Sequence, residues 1–225
     1  MDRTLLKRML SAPNSTPSTA LYLETGCLTI GTIIKARRLN YLQYLVKLPK
    51  EEMLARFFYC QWLDSNQHDW TKQVRIDLED FCLPENLDLI QNKSEYSWKK
   101  QAKEYELRRL IKIKDTKNCS KMKEFKYQKL ECQENLGNVD AKLAKSVFKF
   151  RTRMAKFQGN FKENGNVDFC PLCGTHRDLQ ELSFQCPEVL KKVEITEIYQ
   201  TIFGSKISLN LAKIVDEITR WRNYE

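Results

Sequence analysis

The chain has 225 residues, enough for one sizeable hydrophobic core or two small ones. With 42% hydrophobic and 11% aromatic residues, and only seven Gly and six Pro, it falls outside collagen-like, low-complexity and disordered classes. Its formal net charge of +9 and pI near 9.1 direct attention to polyanionic partners.

The N-terminal stretch MDRTLLKRML lacks the apolar run of a signal peptide, and no uncharged stretch reaches the ~18 residues that a membrane helix needs. The expectation is a soluble intracellular protein, nuclear or cytoplasmic. Residues 11–20 (SAPNSTPSTA) read as a connector that Pro13 and Pro17 keep from being helical. Residues 33–48 predict a helix ending before Pro49, with Arg37 and Arg38 beside an apolar face of Ile34, Leu42 and Leu45. A second helix is expected over 51–63. Trp70, Val74, Leu78 and Phe81 form the stripe of a third, on which Asp77, Glu79 and Asp80 read as a solvated acidic face. His68, among Asn66, Gln67 and Asp69, reads as a surface loop residue.

Ser94 is a candidate cap for a long helix through Trp98, Ala102 and Tyr105, with a hinge near Thr116–Ser120 and a Lys-rich stretch around Met122, Phe125 and Tyr127. Asp140 should cap a helix through Met154. Its apolar stripe is Leu143, Val147, Phe150 and Met154, and Lys142, Lys145, Lys149, Arg151, Arg153 and Lys156 lie on the other faces. Gly159-Asn160 ends that run, and final helices are expected over about 188–203 and 208–222. No repeat or sustained heptad array is present, against solenoids and long coiled coils. The fold class is therefore mainly α: a helical bundle over 1–90, long basic helices over 91–165, and a cysteine knuckle with two C-terminal helices over 166–225.

Charge follows the same three segments, which carry net 0, +11 and −2. The middle one interleaves aromatics such as Tyr96, Phe125, Phe148 and Phe157 with its Lys and Arg, the mixture that neutralises phosphates and stacks bases. The competing reading is a solvated basic face with its aromatics turned inward. Arg37, Arg38, Lys142, Lys145, Lys149, Arg151, Arg153 and Lys156 are the candidate nucleic-acid contacts.

Of eight cysteines, Cys27, Cys60, Cys82, Cys119 and Cys132 stand singly and read as reduced thiols. Cys170 and Cys173 sit on a Cys-Pro-Leu-Cys-Gly turn, where Gly174 is free to take a positive φ, and Cys186 follows 13 residues on. A structural zinc site needs a fourth ligand. The candidate ligands are Cys170, Cys173, His176 and Cys186; zinc completed by another group, and no zinc at all, stay open. A thioredoxin-type role is disfavoured because no βαβ pattern surrounds the pair. No nucleophile with a base, phosphate-cradling Gly loop or clustered metal-binding carboxylates has convincing spacing, so the chain is not expected to be an enzyme by itself.

Two stretches carry a family resemblance. APNSTPSTALYLETG with IIKARRLNYLQYL, and later FKFRTRM, FCPLCG and DLQEL before Cys186, resemble in order the region after the polymerase domain of non-LTR retrotransposon reverse transcriptases, with SKMKEFKYQKL between them as the basic segment. The resemblance spans nearly the whole chain. It implies a thumb-like bundle and a C-terminal zinc knuckle, both engaged with template RNA or target DNA, and a reverse transcriptase polymerase domain as a partner. It departs from the family at two points: Leu182 stands where the family places its histidine ligand, and no Asp-Asp pair is present, so the polymerase carboxylates would lie upstream. The expected function is a nucleic-acid-binding accessory module. The alternatives are a helical interaction or structural protein, and an incompletely folding relic that leaves Leu21, Tyr22 and Ile30 exposed.

Overall fold

The computed structural model describes residues 2–64, 70–92, 95–116, 129–133, 139–157, 160, 169–178, 180–191, 202 and 208–221. His68, Ser94, Gly159, residues 120–128 of the basic stretch and most of the 188–203 helix lie outside the described residues. Among those described, the chain is mainly α, with ten α-helices, one 3-10 helix and no strands. Two compact units form: residues 28–109, and residues 1–27 with 110–225. This division follows packing, where the sequence segments followed charge.

In the 28–109 unit the central element is α3 (Ile30–Lys47). Thr29 caps it, its hydroxyl accepting from the Thr32 amide, and the chain turns extended at Leu48, as a residue before proline prefers. Packed on α3 are α4 (Met53–Leu63), α5 (Trp70–Asp80) and α6 (Leu87–Gln91), and α7 (Glu95–Thr116) contributes Trp98 and Ala102 to the same core. Leu39, Leu42, Leu45, Phe58, Val74 and Leu78 are buried there, so the expected stripe on α5 is the one that packs, while on α3 Leu42 and Leu45 pack and Ile34, 46% exposed, does not: Leu39 takes the inward position instead. Gln43 is buried with them and satisfied, accepting from Trp98 Nε1 at 2.8 Å and donating to the Ile90 carbonyl at 3.1 Å.

The acidic face expected on α5 is not solvated as a whole. Asp77 is fully buried: its carboxylate accepts from Arg38 Nε at 2.6 Å and Nη2 at 3.1 Å and pairs with Lys35 at 3.2 Å. Asp80 also pairs with Lys35. Of the three carboxylates only Glu79 faces solvent freely, because Asp77 lies three residues from Val74, on the inward stripe, where a charge needs its partners.

In the other unit, α1 (Arg3–Met9) and α2 (Ser18–Thr25) flank the proline-rich connector. Pro17 is the cap residue of α2, a place where its missing N–H costs nothing. Leu21 and Tyr22 are buried there, which corrects their reading as orphaned interface; Ile30 is exposed. Gly26 closes α2 at φ +65°, and a Cβ there would overlap the Glu131–Cys132 peptide. α8 (Ala141–Arg151) begins at Asp140, whose Oδ1 accepts from the Lys142 and Leu143 amides at 2.8 and 3.0 Å. It stops at Arg151 rather than Met154, since Arg153 takes φ +53° and the helix cannot continue through it. α8 packs against α10 (Leu209–Trp221), with Leu143, Val147, Phe150, Val215 and Ile218 buried. Between them come a 3-10 helix (Gln180–Gln185) and α9 (Pro187–Leu190).

No helix among the described residues is long and apolar enough to cross a membrane.

Candidate metal centre and basic helix

The cysteine segment folds as a short turn closed at its base by an antiparallel bridge between Phe169 and Arg177. Inside it the Cys170 amide donates to the His176 carbonyl at 2.6 Å, and the Gly174 amide to the Cys170 carbonyl at 2.8 Å. Gly174 takes φ +65°, the conformation for which a residue without Cβ is suited. Cys186 arrives separately, as the cap residue of α9 with Pro187 at its first position.

What brings Cys186 to the turn is a set of contacts from the end of α8. Phe150 packs its ring against Phe184 at 5.5 Å and Phe157 at 5.8 Å. Its carbonyl accepts from Gln180 Nε2 at 2.8 Å, and Gln180 Oε1 accepts from Asn160 Nδ2 at 2.9 Å. The 3-10 helix is thereby tied to the core at Gln180 and at Phe184, just before Cys186. The ligand sulfurs of Cys170, Cys173 and Cys186 all lie within 4.8 Å of one another, and could together hold a metal ion. His176 is half-exposed and does not belong to this group.

The three thiols are not equivalent. Cys173 is lowered to about 6, chiefly by the Thr175 hydroxyl donating to its sulfur at 3.1 Å and then by the Thr175 amide. Cys186 is raised to about 11, chiefly by burial. A thiol of depressed pKa is a thiolate above that value, so in metal-free protein at pH 7 Cys173 should be alkylated well before Cys186. Peptide mapping after brief iodoacetamide treatment between about pH 5 and 8 checks this, with Cys173 labelling rising through pH 6. Equal labelling of the two residues would count against the arrangement. Thr175 was not singled out from the sequence; its signal was only a hydroxyl two residues beyond a cysteine.

The candidate cations divide. Arg151 is 1% exposed and does not face solvent: Nε and Nη2 donate to Glu24 Oε1 at 3.1 and 2.9 Å, and Nη1 donates to the Ile202 carbonyl. It follows Val147 by four residues and so falls on the buried stripe, which corrects its reading as a phosphate contact. Arg38 is held by Asp77. Arg153 is half-buried past the end of α8. Lys142, Lys145 and Lys149 repeat at i, i+3 and i+7 along one face of α8, and Lys156 and Arg37 are exposed. Among the described residues no ion pair engages Lys142, Lys145, Lys149, Lys156 or Arg37. Arg37 and Arg38 belong to one unit and the other six to the second.

No protein-family model, curated protein or solved structure matches the chain.

Proposed function

We propose that the chain is a nucleic-acid-binding accessory module without catalysis of its own, acting beside a reverse transcriptase-like polymerase and contacting RNA or DNA mainly through phosphates. The observation that carries this reading is the row Lys142, Lys145 and Lys149 on α8, three cations on one helix face with no carboxylate partner among the described residues. A row of ammonium groups along one helix face matches a phosphate backbone and releases its counterions.

Zinc is the metal proposed for the cysteine site. Three thiolates this close suit the Zn–S bond of about 2.3 Å and the preference of soft ligands for such ions, and the fourth ligand that a structural zinc needs would come from outside this cluster. Bound there, it would tie the 169–177 turn to the start of α9, holding the knuckle's backbone beside the basic helix of the same unit. The site would be structural, since its ligands come from two separate segments that the metal cross-links.

The test is fluorescence anisotropy with labelled RNA hairpin, single-stranded DNA and duplex DNA against wild type and the triple variant K142E/K145E/K149E. The variant is expected to lower the slope of log affinity against log salt by about 2 to 3, at roughly 0.7 to 0.9 per lost phosphate contact. A variant that binds as wild type does would return this face to solvent and favour a protein-interaction role.

A further inference from the structure

The outward face of α3 has a composition that the phosphate reading of α8 does not account for. Tyr41 and Tyr44 are 46% and 52% exposed, and their rings stack at 5.9 Å with 20° between planes. Trp70 supports Tyr41 edge-on at 5.6 Å, so the outer ring surfaces are held rather than free to fold away. Arg37 stands one turn before Tyr41 and Lys47 three residues after Tyr44, both exposed and neither in an ion pair among the described residues.

Beside this face lies an open groove of about 390 Å³ in the same unit. Its floor includes Leu28, Ile33 and Trp98, and Arg37, Asn40 and Lys99 stand along it, Lys99 exposed and outside any ion pair of the described residues. Single exposed tyrosines are ordinary on protein surfaces. Two stacked tyrosines bracketed by cations, next to an apolar groove with a cationic rim, are a more specific combination. Nor is it a by-product of general basicity, since residues 1–90 carry no net charge and acidic Asp77 is buried away.

We infer that this face is a seat for single-stranded nucleic acid: unpaired bases stack on Tyr41 and Tyr44 while Arg37, Lys47 and Lys99 take the flanking phosphates. Stacking on an aromatic face accepts any base and requires the base to be unpaired, whereas the lysine row of α8 reads only phosphates and accepts duplex equally. This inference rests on the proposed nucleic-acid function and assigns it a strand preference and a second contact surface.

The experiment compares the full-length chain with Y41A/Y44A and Y41F/Y44F, using labelled oligo-dT and a duplex of equal length at one salt concentration. The alanine variant is expected to lose about tenfold in oligo-dT affinity for each ring removed, with duplex affinity unchanged, and the phenylalanine variant to stay within about twofold of wild type. Matching thermal melts establish that the fold survives. Oligo-dT binding unaffected in Y41A/Y44A overturns the inference and leaves the face to a protein partner or to solvent. Equal losses for both ligands overturn it too, since stacking cannot weaken a closed duplex. Wild type that binds neither ligand sinks the functional reading itself, an outcome distinct from these two.

Discussion

Arg151→Ala is expected to destabilise its unit by about 3–5 kcal/mol, the cost of leaving one member of a buried ion pair alone. The substitution removes the two guanidinium donors to the Glu24 carboxylate, which is 0% exposed, and the donor to the Ile202 carbonyl, so three segments far apart in sequence lose their common anchor. Thermal denaturation should show a drop on the order of 10 °C in the transition of this unit. The double variant E24L/R151M should recover most of it, because a matched apolar pair carries no stranded charge. A single variant that melts within a degree of wild type would mean that groups other than Arg151 stabilise the buried Glu24.

Phe150→Ala is the second large effect, about 3–5 kcal/mol for emptying a fully buried aromatic site. Its consequence reaches the cysteine site. Phe150 lies against Phe184, two residues before Cys186, and the carbonyl of the same residue receives Gln180. The variant should therefore release the 3-10 helix and let Cys186 drift from Cys170 and Cys173, lowering metal affinity along with stability. Competition with a chromophoric zinc chelator, at a temperature where the variant is still folded, separates the two. Affinity equal to that of wild type would show that the knuckle organises itself independently of α8.

How far the sequence disclosed this arrangement depends on whether the relevant interaction is local. The cap at Asp140, the stripe of Leu143, Val147 and Phe150, and the stop before Pro49 all depend on neighbours within one or two turns, and each is found where the pattern puts it. The Cys170–Cys173 turn with Gly174 is local in the same sense. By contrast, α2 was hidden because prolines that break a helix inside it are tolerated just before its start. The burial of Arg151 and Asp77 was hidden for another reason. Residue type suggests solvent for both, and only partners at long range, Glu24 at 127 positions and Arg38 at 39, make burial affordable. The position of Arg151 on the apolar stripe was the one available hint. Likewise His176 is the imidazole closest in sequence to the cysteine pair, yet its ring nitrogens do not join the three sulfurs, which meet without it.

Lys142, Lys145 and Lys149, which make no ion pair among the described residues, are the groups through which the chain is proposed to bind nucleic acid. The most direct measurement is the equilibrium affinity of wild type for RNA hairpin and oligo-dT across a salt series from about 50 to 200 mM. Affinity should fall steeply and linearly on logarithmic axes, since each neutralised phosphate releases a counterion. Absence of binding at the lowest salt, or an affinity that does not change across the series, would contradict it.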